Sequence, residues 1–240
     1  MVYDNKFMES KEVFYNMKLT YLGHSAFLIE TENINIIIDP FIKDNPLCKT
    51  EISKLPKIHY VLVTHGHSDH LGDTVEIARK FGSYVICNYE IAQYLDKYNI
   101  KCHAMHIGGR KVFDFGKIKM TPAIHGSSIT ESTHILYAGV ACGFLIEIGG
   151  IKIYHAGDTA LTYDMKLLEK EHIDYALLPI GGNFTMDIED SIEALSLINP
   201  KNAIPMHYNT FDLIKANPKE FSSDTCDIIH MNPNESIDIT

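Results

Sequence analysis

The sequence predicts an α/β protein in which two β-sheets pack face to face and helices cover their outer faces. Three observations carry that expectation. Short β-branched and aliphatic runs alternate with stretches of helical spacing in both halves of the chain. Potential metal ligands recur just after these runs, at 65–70, His125, Asp158 and His207, and α/β sheets gather ligands at the carboxyl ends of their strands. No apolar run approaches the ~20 residues that span a bilayer.

Taken in order, Lys18–Leu22, Ala26–Thr31 and Asn33–Asp39 read as three strands joined by tight turns, the last stopped by Asp39-Pro40. A loop over 41–57 carries Pro46 and Pro56. Tyr60–Val63 is a buried strand. From Asp73 the spacing turns helical (Val75, Ile77, Ala78, Phe81), with Asp73 and Glu76 placed as a capping box and Gly82 as terminator. Strand Tyr84–Cys87, helix Tyr89–Tyr98 and strand Lys101–His106 follow. Val112–Phe115 and Lys117–Pro122 form a hairpin turning at Gly116, and 126–137 reads as a loop. In the second half Gly143–Ile148 and Ile151–His155 pair about Gly149-Gly150. A helix runs from Asp158-Thr159 to about Glu171, then strand Tyr175–Pro179, helix Asp187–Ile198 and strand Ala203–Met206.

Composition narrows the function. A net charge of −10 argues against a nucleic acid as partner, because phosphate backbones are held by clustered Lys and Arg. The five cysteines are scattered and none lies in a Cys-x-x-Cys pair, as expected of reduced thiols in a cytoplasmic protein. Residues 1–17 carry charges throughout and lack the apolar block of a secretory signal, and with no bilayer-spanning run no membrane association is expected. Homo-oligomerisation stays open.

The chemistry centres on Thr64-His65-Gly66-His67-Ser68-Asp69-His70. Imidazole and carboxylate bind borderline transition metals. Side chains two apart in extended chain point the same way, so His65 and His67 can grip one ion, while Asp69 and His70 turn toward a second. With His125, Asp158 and His207 following at long intervals, the chain resembles the metallo-β-lactamase superfamily. Leu19-Thr20-Tyr21-Leu22-Gly23-His24-Ser25-Ala26-Phe27 and Pro179-Ile180-Gly181-Gly182-Asn183-Phe184-Thr185-Met186-Asp187 are similar to a bacterial branch of metal-dependent hydrolases near the ascorbate-phosphate lactonase type.

The resemblance implies a four-layer αββα sandwich over residues 17–240, with 1–16 an extension. It implies two divalent cations, zinc or manganese first and iron, cobalt or nickel not excluded. His65, His67 and His125 match the ligands of one ion, Asp69, His70 and His207 those of the other, and Asp158 the bridge. Asp39 matches an acidic residue that orients the histidine loop, and His155 is expected beside the ligands. The implied activity is attack of a hydroxide, generated between the ions, on a small ester, lactone or phosphoester, with Asp69 directing it. His24 either supplies the leaving-group proton and binds substrate or is a structural turn histidine. Asn183, Thr185, Met186 and His134 are candidate substrate contacts. A nuclease of the tRNA 3′-processing type and a non-catalytic metal-binding protein are the alternatives.

Overall fold

The computed structural model describes residues 17–239, and the extension read over 1–16 lies outside the described residues. The chain opens with an antiparallel meander, β1 (Met17–Gly23), β2 (Ala26–Glu30) and β3 (Asn35–Ile38). It then crosses over to β4 (Tyr60–Leu62), β5 (Tyr84–Asn88) and β6 (Cys102–Met105), all parallel to β3. The connections carry a single turn, α1 (Ser68–Leu71), and two helices, α2 (Thr74–Phe81) and α3 (Tyr89–Asp96).

The second sheet repeats this plan. β7 (Arg110–Phe113), β8 (Gly116–Pro122), β11 (Cys142–Ile148) and β12 (Ile151–His155) are antiparallel neighbours. β13 (Tyr175–Pro179), β14 (Asn202–Met206) and the two-residue β15 (Asp227–Ile228) extend it in parallel, with α4 (Ile188–Ile198) between β13 and β14. Finally β16 (Ser236–Ile239) returns to pair with β1. Among the described residues the sheets read β16-β1-β2-β3-β4-β5-β6 and β15-β14-β13-β12-β11-β8-β7.

Residue alternation decides the layers. In β3, Ile36 and Ile38 join the core between the sheets, with Phe27, Phe144, Ile146 and Ile153. Ile37 points the other way, into a cluster with Ile77, Ile91 and Leu95 of α2 and α3. Each fully buried isoleucine contributes about 1.5–3 kcal/mol, so a strand loaded on both faces belongs inside a sheet flanked by two layers. These two mixed sheets with helices outside form the expected four-layer sandwich.

Several elements differ from the sequence reading. The helix expected from Asp158 begins only at Tyr163 and is a 3₁₀ turn through Glu171. Thr159 is committed elsewhere: its carbonyl accepts from Met186 N and its hydroxyl from Ile124 N, so 158–162 cannot wind. Three residues per turn put Met165, Leu168 and Glu171 in one row, two buried in the core and the third paired with Lys119. The loop expected over 126–137 contains a hairpin, β9 (Ser128–Glu131) and β10 (His134–Tyr137). Its turn places Ser132 at φ 50° without the Gly or Asn that signals such a turn. Gly116 is the first residue of β8 rather than the centre of the β7–β8 turn. Asp73 caps α2 by position only. Its carboxylate accepts from Ile42 N and Lys43 N, and Glu76 pairs with Lys43.

Candidate metal centre

Every ligand-type residue of the sequence reading sits at one edge of the sandwich, on segments leaving strand ends. β4 delivers 64–70, β8 leads to His125, β12 to Asp158 and β14 to His207. Their donor atoms form three overlapping groups, each lying within 4.8 Å mutually: His65, His67 and His125; His65, His70 and Asp158; and His24, Asp69, His70 and His207. Asp158 lies among them, with Oδ1 3.3 Å from His70 Nε2 and Oδ2 2.9 Å from His207 Nε2 and 3.6 Å from His125 Nε2.

Asp39, just past β3, sets the protons of this cluster. It is fully buried. Oδ1 accepts from Thr64 N at 2.8 Å, and Oδ2 accepts from the Thr64 hydroxyl at 2.7 Å and from His70 Nδ1 at 2.8 Å. The Thr64 oxygen in turn accepts from His65 Nδ1 at 3.0 Å. With its Nδ1 proton so engaged, the neutral ring of His65, and that of His70 when neutral, presents Nε2 to the cluster as a lone pair. His65 Nε2 and His67 Nδ1 approach to 3.0 Å. His70 Nε2 and Asp158 Oδ1 are both buried without a hydrogen-bond partner among the described residues. Buried polar atoms that converge in this way are costly to leave unpaired, and the donor set suits a divalent cation.

Electrostatics agree with that fit. Burial pushes His65, His67 and His125 down from the ordinary imidazole range, keeping them neutral and able to ligate. Burial also opposes charge on His70, but Asp158 and Asp39 outweigh it and raise the group. Burial works against ionised Asp69 and Asp158 as well, yet both stay low, Asp69 chiefly through His24 and Asp158 through His207 and His70.

His24 lies in the turn between β1 and β2, as read from the sequence, with its side chain fully buried. Burial takes its pKa down to about 4. Its Nε2 donates to Asp69 Oδ2 at 3.1 Å and its Nδ1 accepts from the Thr210 hydroxyl at 2.9 Å. Phe41 and Phe211 pack edge-on to its ring, at 5.7 and 5.5 Å. Among the described residues His155 makes no hydrogen bond to a candidate ligand side chain. Its Nε2 donates to Ser25 O and its Nδ1 accepts from Gly157 N, tying the end of β12 to the β1–β2 turn.

The candidate substrate contacts scatter. Asn183 is exposed in left-handed backbone, and Thr185 is half-buried and donates to Met186 O. The Met186 side chain lies in the core, so it faces no opening. His134 is exposed beside the hairpin turn, paired across it with Glu131 and in contact with the Thr133 hydroxyl.

Backbone strain marks the same edge. His24, Asp39 and His207 adopt φ of 59°, 44° and 54°, a region uncommon for residues other than glycine and concentrated at functional sites. Gly66 separates the first two histidines because a Cβ there would stand 2.5 Å from the Ala138 Cβ. Sequence reasoning missed Thr64, Thr210, Phe41 and Phe211. None has a local signal, since each acts through partners brought in by the fold.

Residues 18–207 match the model of the beta-lactamase superfamily domain. A UPF0173 metal-dependent hydrolase of Alkaliphilus metalliredigens is 53% identical over 205 residues, 85% of this chain and 91% of that protein. One from Carboxydothermus hydrogenoformans is 52% identical, over 85% of this chain and 90% of its own. The structure of Igni18, a metallo hydrolase from the archaeon Ignicoccus hospitalis, is similar with a TM-score of 0.85 and 38% identity, covering 94% of this chain and 99% of that one. A ligand-rich sandwich edge, the domain match and relatives above half identity converge on one assignment: the chain belongs to the beta-lactamase superfamily and, within it, to the UPF0173 metal-dependent hydrolases.

Proposed function

We propose that the protein hydrolyses a small ester, lactone or phosphoester at a centre of two divalent cations. One observation carries the reading. The Asp158 carboxylate lies within 3.6 Å of nitrogens from both ligand groups, which supports a carboxylate shared between them. His65, His67 and His125 would hold one ion, and Asp69, His70 and His207 the other. The set is five imidazoles and two carboxylates without thiolate. It suits zinc, our preferred ion, and manganese next, while iron, cobalt and nickel accept the same donors. Bound there, such ions acidify water toward neutral pH and polarise the bond to be cleaved.

The chain's own residues supply direction and protons. Asp69 stays ionised beside His24. His24 occupies Oδ2, so Oδ1 would be the oxygen left to hold a cation and orient the attacking water. With both its nitrogens engaged and no exposure, His24 positions Asp69, which would take the proton of the attacking water and pass it to the leaving group. Asn183 and Thr185, on the loop after β13, border the substrate. The substrate is a small molecule, and scattered thiols with no disulfide among the described residues fit a cytoplasmic setting. No described helix is long and apolar enough to cross a membrane.

Metal analysis combined with a screen of lactones, esters and phosphodiesters tests this, with His67→Ala as the blank. About two equivalents of metal and turnover that collapses in the variant are expected. A variant keeping full metal content and full activity would refute the assignment.

A further inference from the structure

We infer that the substrate is an uncharged ester or lactone carrying an apolar group, and not a phosphate-bearing molecule; this rests on the hydrolase reading above. The segments that follow β4, β8, β12, β13 and β14 at the metal edge (64–73, 123–141, 156–163, 180–187 and 207–214) contain no Lys or Arg. A cleft of about 430 Å³ opens beside His67 and Asp69, and its lining includes Asp44 and Asp73 but no cation. Lys43, next to it in sequence, has its ammonium bound to Glu76. Metal ions can neutralise the reacting group, but a phosphate or carboxylate elsewhere on the substrate needs Arg, Lys or a nest of donors. Here it would meet carboxylates.

The same segments display apolar side chains to solvent. Ile124 is 56% exposed beside His125, Phe184 52%, Phe211 41% and Leu213 66%. Backbone and hydroxyl bonds at Thr159 lace the Ile124 and Phe184 segments to the residue after Asp158. Phe211 stands against His24. Exposed apolar side chains on the segments that carry the ligands, with the nearby Lys215 ammonium paired to Asp212, match an acyl or alkyl group on the substrate.

The test uses the zinc-loaded protein and two readouts. Calorimetry measures binding of non-hydrolysable lactams with acyl tails of rising length, each against an equal-length tail ending in a carboxylate. Hydrolysis is measured with matching p-nitrophenyl esters and with bis-p-nitrophenyl phosphate. Each added methylene is expected to tighten binding about twofold to fourfold, and the terminal carboxylate to weaken it at least about tenfold. Phe184→Ser with Phe211→Ser should flatten the chain-length trend, and Ile124→Lys should narrow the carboxylate penalty. Affinity independent of length, preference for the carboxylate series, or faster turnover of the phosphodiester would overturn the inference while leaving a hydrolase in place. An apolar rim buried in a stable dimer that the double variant dissolves, with no chain-length trend, would overturn it too. A chain-length trend with no hydrolysis anywhere in the panel supports the ligand class and refutes the hydrolase reading instead.

Discussion

Replacing Asp39 by Asn changes no volume and keeps a residue type that tolerates the φ of 44° at this position, yet it should cripple metal binding. Asp39 accepts three hydrogen bonds on two oxygens, from Thr64 N, the Thr64 hydroxyl and His70 Nδ1. Asn offers one oxygen. If that oxygen keeps Thr64 N, the amide NH₂ faces the His70 Nδ1 proton. His70 must then move its proton to Nε2, the atom 3.3 Å from Asp158 Oδ1, where it occupies the ligating lone pair. If the amide flips, its NH₂ opposes the Thr64 N–H instead. His65 is disturbed as well, because its Nδ1 proton rests on the Thr64 hydroxyl. A hydrogen bond to a charged group contributes about 1.5–3 kcal/mol, and loss of such an orienting partner weakens metal affinity about 10–100-fold, or roughly 1.4–2.8 kcal/mol. Competition against a chelator, on zinc- and manganese-loaded samples, measures this directly. Circular dichroism of the metal-free variant checks that the sandwich persists. If the folded variant binds metal within about threefold of the parent, the account of how the imidazole protons are fixed is wrong.

Other outcomes follow from the same geometry. His24→Ala removes the donor that keeps the Asp69 carboxyl low. The acid limb of the rate profile should move to higher pH and kcat should fall about 10–100-fold, as for loss of an orienting partner; an unmoved limb would separate His24 from Asp69. Gly66→Ala drives a Cβ to 2.5 Å from Ala138 and 3.0 Å from Ile129 Cγ1. The overpacking should cost about 1–3 kcal/mol, read as several degrees of Tm at roughly 2–4 °C per kcal/mol, and an unchanged Tm would show that β9 and β10 yield freely. Stability of the metal-free protein should fall as pH drops from about 6.5 toward 4. His24, His65, His67, His125 and His155 are held neutral in the fold by burial and protonate more readily once unfolded. His70 acts oppositely, since its raised pKa contributes stability below about 6.5 that is lost as pH rises through the folded value. Denaturant titrations across that range decide whether the five outweigh the one.

The sequence by itself determined the pattern of short strands and helices and the roster of imidazoles and carboxylates at strand ends. It could do so because those signals are local: side chains two apart in extended chain share a face, and proline, glycine and β-branched runs punctuate strands within a few residues. Only the tertiary structure decided which atoms of that roster face one another. His24 meets Thr210 across 186 residues and Asp69 across 45, and no local spacing encodes such pairs. The same packing buried His24 and Met186, wound 163–171 as a 3₁₀ turn and folded 128–137 into a hairpin. Each of these is settled by partners delivered from other strands, because a buried polar group takes whatever the neighbouring elements provide and is costly to leave unpaired.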